Sequence, residues 1–172
     1  MLSFIECLGG DSLMTPEELS NLIMTSSFEE VREFVANSGD KYEFEDFFIS
    51  AFDFTDWDFR CYGLLNYLNS IQEEVIWHRI SYLLLSFFLN YIKGSEDMAL
   101  IHLRRLIEIE GHTTWNLLGL IKLARVPEGV VSVEEGKWAA YEALKINPDE
   151  EEARYFLSAY CGETHLWDLE DT

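Results

Sequence analysis

Apolar residues recur every three to four positions through most of the chain, and short breaks of polar residues, glycine or proline separate the runs. Thr15, Pro16, Glu17 and Glu18 have the order of an N-cap, a proline at the first helical position and acids in the first turn, so a helix is expected from Pro16. Ser27 and Glu30 fit a capping box, opening a helix that turns Val31, Phe34 and Val35 inward and stops near Gly39. A third helix is expected over 40–54, and Thr55 or Asp56 should cap a fourth that runs to about Asn69. The longest run, 72–93, keeps Val75, Ile76, Ile80, Leu83, Leu84, Phe87, Phe88 and Tyr91 on a helical period until Gly94 closes it. Ser95 should cap the next helix, which ends before Gly111. Further helices are expected over 114–125, 133–146 and 149–161, with Ser132 and Glu135 as another capping box. Val130 to Val133 is the one β-like fragment and is too short for a sheet. The expected fold is all-α, a stack of about eight to nine helices.

The chain has 172 residues, which suits a single domain over 1–172. Apolar residues make up 48% and aromatics 15%, too much apolar mass for a disordered acidic tail and enough for a sizeable core. Charge changes the picture more. Asp and Glu number 32 against 12 Lys and Arg, a net of −20. Residues 1–60 carry 14 acids and 3 bases, residues 61–125 carry 6 of each, and residues 126–172 carry 12 and 3. Acidic ends around a neutral apolar middle fit one continuous helical stack. A free-standing nucleic-acid binder needs a basic footprint, so direct nucleic-acid binding is not expected. Anionic membrane surfaces are disfavoured for the same reason, and the expected partner is a basic protein.

The first ten residues have no basic stretch, and Glu6 interrupts their apolar run, so a signal peptide is not expected. The apolar stretch from Ile80 to Ile92 falls short of the roughly 20 residues a membrane span needs and reads as a buried helix. Cys7, Cys61 and Cys161 are odd in number and far apart, which suits free thiols in the cytoplasm.

Trp115, Leu118 and Gly119 have the W-x-x-L-G spacing that opens a tetratricopeptide repeat. Ala143, Leu144 and Pro148 match its close, and Ala153, Leu157 and Tyr160 match the first helix of a following repeat. Residues 112–161 thus resemble a tetratricopeptide unit and a half. Lys122 stands where an aromatic is usual, and 126–132 lengthens the turn. A weaker echo runs over 77–111, in Trp77, Ile80, Ser81, Ala99 and Leu103. The resemblance implies an α-solenoid of helical hairpins, because those residues are packing contacts.

Chemistry is sparse. His78, His102, His112 and His165 are scattered without metal-ligand spacing, and Cys161 with His165 is the nearest approach to a reactive pair. The acid pairs at 17–18, 29–30, 73–74 and 134–135 fall in first helical turns, where they offset the helix dipole. No phosphate loop, nucleophile elbow or calcium loop occurs, and neither a cofactor nor enzyme activity is expected. The segment 42–59 stands out, with eight aromatics and six acids in eighteen residues. Phe44, Phe47, Phe48 and Phe52 suit one helical side. From Phe52 to Phe59, however, aromatic and acidic residues nearly alternate, which no single helical stripe can bury. Either this is an ordinary corner with Asp56 and Asp58 as caps, or Glu43, Glu45, Asp46, Asp53, Asp56, Trp57 and Asp58 form a partner-binding surface. Asp149 to Glu152, with Glu163, Asp168, Glu170 and Asp171, is a second acidic region. Trp167 and Leu169 near it should dock on the last helix or on a partner.

In size, charge and lack of catalytic residues the chain resembles the immunity proteins of bacterial toxin–immunity pairs, such as those of contact-dependent growth inhibition. That resemblance implies a basic toxin, such as a nuclease, blocked by carboxylates that replace the phosphates its Lys and Arg expect. The alternative is a tetratricopeptide-like adaptor or secretion chaperone with an apolar or basic client.

Overall fold

The computed structural model describes residues 14–37, 44–126 and 129–162. Cys7, Gly39, Glu43, His165, Trp167 and Leu169 lie outside them, as do Glu163, Asp168, Glu170 and Asp171. The described residues are all-α. They divide into two compact units, with the division between Tyr91 and Ile92. No helix among them is long and apolar enough to cross a membrane.

The first unit holds α1 (Pro16–Met24), α2 (Phe28–Asn37), α3 (Phe44–Asp53), α4 (Arg60–Ile71) and α5 (Val75–Leu83). α1 starts as its sequence dictates. Glu18 N–H donates to Thr15 Oγ1 at 3.2 Å while Thr15 N–H donates to Glu18 Oε2 at 2.8 Å, a complete capping box. The box expected at Ser27 differs, because the Ser27 hydroxyl pairs with Thr25 Oγ1 at 3.1 Å, across a turn that puts Ser26 at φ 59°. α1 packs on α2, α3 and α4, and α5 packs on α3 and α4. The core is aromatic: Phe44, Phe48 and Phe52 are buried on one side of α3, and Trp77 of α5 meets Phe48 at 5.4 Å between ring centroids. Phe34 of α2 reaches Phe44 at 6.1 Å, and Phe47 at 5.7 Å.

The expected long helix over 72–93 is not continuous. α5 passes at Leu84–Phe88 into a π-turn, closed by Leu89 N–H donating to Leu84 O at 2.8 Å. A π-turn takes one extra residue, which rotates the residues after it by about 100° from the phase of an unbroken α-helix. Phe87, inside that turn, and Tyr91, beyond the end of the helix at Phe88, are inward on the sequence period yet 51% and 73% exposed, while Leu84, Leu85 and Leu89 fill the core.

The second unit holds α6 (Ser95–Glu110), α7 (Thr114–Arg125), α8 (Val133–Ile146) and α9 (Glu151–Cys161). Gly94, at φ 84°, is the residue that caps α6, and Ser95 is buried as its first residue. Thr113 and Ser132 cap α7 and α8, accepting from Asn116 N–H and Glu135 N–H. α7, α8 and α9 pack around Gly136, and Ala124, Ala139, Ala140, Ala143, Ala153, Phe156 and Leu157 are buried with it.

Candidate functional site

The acidic aromatic segment is built by the end of α3 and the turn into α4. Thr55 is its hub. The single hydroxyl proton of Thr55 goes to Phe52 O at 2.7 Å, so the Cys61 thiol, 3.1 Å away, donates to Thr55 Oγ1. Asp58 N–H donates to the same oxygen at 3.3 Å. Phe52 O also accepts from Thr55 N–H and Trp57 N–H, at 3.0 and 3.2 Å. These bonds hold Asp56 and Trp57 in consecutive left-handed conformations, at φ 50° and 57°. The left-handed region is uncommon for residues other than glycine, and Asp tolerates it better than Trp. What retains Trp57 there is its ring, stacked on Phe88 at 3.5 Å between centroids with planes 6° apart.

The sequence-derived site residues separate into two groups. Asp58 is turned inward on its own chain: Oδ1 accepts from Arg60 Nε at 2.8 Å and from Arg60 N–H at 2.9 Å, and Oδ2 accepts from Arg60 Nη2 at 3.1 Å. That fork holds the Asp58 carboxyl below its ordinary pKa. Arg60 Nη1 also donates to Met24 O at 2.5 Å, tying the turn to the end of α1. Trp57 is half-buried in its stack, and Glu45 is half-buried, with burial pushing its pKa up against the pull of Arg79. The caps expected at Thr55 or Asp56 are absent, because α4 begins only at Arg60.

Asp46, Asp53 and Asp56 form the other group. All three are exposed, and no ion pair neutralises them among the described residues. Asp46 and Asp53 are seven residues apart on α3 and so share one face. Asp53 closes α3, where the negative end of the helix dipole disfavours a carboxylate by roughly 0.3–1 kcal/mol. Between and beyond these acids stand Phe54, 62% exposed, and Phe59, 47% exposed. Glu43 lies outside the described residues. Sequence reading missed Phe88 as the partner of Trp57 and the weight of Phe54 and Phe59. The near-alternation over 52–59 was the signal for the latter two, and nothing local marks Phe88.

In the second unit Asp149 accepts from Arg154 Nη2 at 3.2 Å, and Glu152 accepts from Arg125 Nη1 at 3.0 Å. Among the described residues, no cluster of three or more His, Cys, Asp or Glu is placed to hold a metal ion. No known protein family, curated protein or solved structure matches this chain.

Proposed function

We propose that this chain is a non-catalytic acidic binding protein that neutralises a basic protein partner, in the manner of a cytoplasmic immunity protein covering the active site or substrate groove of a nuclease-like toxin. One observation carries the reading. The three described arginines of the first unit all serve its own carboxylates: Arg32 pairs with Glu29, Arg60 with Asp58, and Arg79 lies in the field of Glu45. Among the described residues Asp46, Asp53 and Asp56 remain without a cation, beside exposed Phe54 and Phe59. A basic surface supplies the missing charges, and carboxylates in a nuclease groove occupy the places of substrate phosphates. Association of this kind is fast, electrostatically steered and weakened by salt.

Affinity capture of the tagged chain at low salt from the cells that encode it tests the reading. One basic partner at 1:1, whose own activity is suppressed by the purified chain and restored by high salt, is the expected result. Absence of a stoichiometric basic partner overturns it. The tetratricopeptide-like adaptor is the second reading, favoured by the small-residue seam of Gly136, Ala139, Ala140 and Ala143 along α8. Several substoichiometric clients in the same capture would support it.

A further inference from the structure

Resting on the basic-partner reading, the structure also bears on which cation the surface takes. The Trp57–Phe88 stack fixes the turn after α3 against the π-turn that ends α5, and both rings are only half-buried. On either side of Trp57 in sequence the chain presents exposed rings and uncompensated carboxylates in alternation: Asp53, Phe54, Asp56 and Phe59, the last with its ring centroid 5.5 Å from that of Tyr62. The two cationic side chains respond differently to such a surface. An ammonium is a compact, strongly hydrated charge that gains chiefly from the carboxylates. A guanidinium is planar and weakly hydrated, so it stacks on a ring face while its N–H fork engages the neighbouring acid.

The chain builds this arrangement within itself. In the second unit, Arg125 donates to Glu152 at 3.0 Å while its guanidinium carbon lies 5.3 Å from the Tyr155 ring centroid and 5.9 Å from that of Tyr160. At the turn of the first unit the rings and acids are present, and Arg60, the nearest arginine in sequence, is spent on Asp58 and Met24.

We propose that the segment from Asp53 to Phe59 is an arginine-reading surface. It docks an arginine-bearing segment of a basic protein, with guanidinium groups over the exposed rings of Phe54 and Phe59 and paired to Asp53 and Asp56. Charge complementarity selects this occupant. The first unit carries 16 acids against 4 bases, so a second copy of the chain or an acidic peptide is repelled where a basic segment is attracted. The turn is already closed by the bonds to Thr55 and Phe52, which spares the ordering cost of folding it on binding.

Calorimetric titration of the full chain with two synthetic peptides of equal length and charge, one bearing arginine and the other lysine, tests the assignment. At low salt the arginine peptide is expected to bind about fivefold tighter, the size of one exposed cation–π contact. The double variant Phe54→Ala/Phe59→Ala, at exposed positions and checked for helicity, should erase that preference while keeping salt-sensitive binding of both peptides. Asp53→Asn/Asp56→Asn should weaken both, and Asn suits the positive φ at position 56. Equal affinities of the intact chain for the two peptides overturn the arginine assignment and leave the basic-partner reading standing. An arginine preference that survives in the double phenylalanine variant also overturns it, by placing the preference elsewhere. Binding of neither peptide overturns it as well, and the basic-partner reading is then judged on the captured partner alone.

Discussion

The Cys61 thiol gives its proton to Thr55 Oγ1 across 3.1 Å, and that contact joins the first turn of α4 to the corner that ends α3. Thr55 in turn bonds Phe52 O and receives Asp58 N–H, so one buried hydroxyl holds the corner from three sides. Replacing it by an isosteric apolar group leaves these groups without their partner. Thr55→Val is expected to cost about 1–3 kcal/mol in urea unfolding, and Thr55→Ser to cost less because it retains the hydroxyl. Equal losses in the two variants would show that the methyl group, not the hydrogen bonds, holds the corner.

Cys61 is fully buried, and burial raises its thiol from 9.0 to about 11. At pH 8 it should therefore resist alkylation in the native protein and react on unfolding, read residue by residue by peptide mass spectrometry. The same shift sets the sign of an alkaline effect. The unfolded chain loses this proton near pH 9 and the folded chain near 11, so the contribution to stability is intact below 9 and disappears between those values. A Cys61→Ala variant, less stable at pH 7, should show a smaller further loss over that interval.

Arg60 closes the fork on Asp58 and reaches Met24 O. Both charged side chains are more than a third exposed, so the ion pair is worth little beyond its geometry. Arg60→Ala is expected to lower the urea midpoint modestly at pH 7. Because Asp58 has a depressed pKa, its stabilisation is present above the ordinary carboxylate value and is lost as pH falls through the folded one. The gap between wild type and variant should narrow in acid. A gap unchanged from pH 7 to pH 2 would assign the loss to the Met24 contact instead.

Gly136 lies in the middle of α8, where alanine is ordinarily preferred by about 1 kcal/mol. Here a Cβ would fall 2.7 Å from both Ala124 Cβ and Phe156 Cζ, and neither neighbour is the free end of a flexible chain. Gly136→Ala should therefore destabilise the second unit by about 1–3 kcal/mol, reversing the propensity effect. A thermal midpoint at or above that of the wild type would show that α7 and α9 yield to the added methyl.

Charge reversal on α3 separates binding from folding. Asp46→Lys/Asp53→Lys alters two exposed acids without an ion pair among the described residues, and lysine at position 53 relieves the dipole conflict at the helix end. Stability should change by less than about 0.5 kcal/mol, while affinity for the basic partner falls at least about tenfold at low salt, with the difference shrinking as salt rises. Asp58 is unsuited to this test, because reversing it breaks the Arg60 fork.

Much of the architecture was legible in the residue pattern because the forces concerned are local. The bounds 114–125 and 133–146 follow from the apolar period and, for the second, from Ser132 as its cap, and α3 buries Phe44, Phe48 and Phe52 as their spacing requires. The acidic aromatic segment was also visible, since composition alone singles it out. The sequence by itself determined an all-α chain, the caps at Thr15 and Ser132, and a strongly acidic net charge. Tertiary structure decided the rest, because it depends on groups distant in sequence. The π-turn at Leu84–Phe88 ends its helix and leaves Phe87 and Tyr91 exposed, Phe88 stacks on Trp57, and Arg60 pairs with Asp58. A period can say which residues share a face. Only packing decides which faces are satisfied within the chain and which are left for something else.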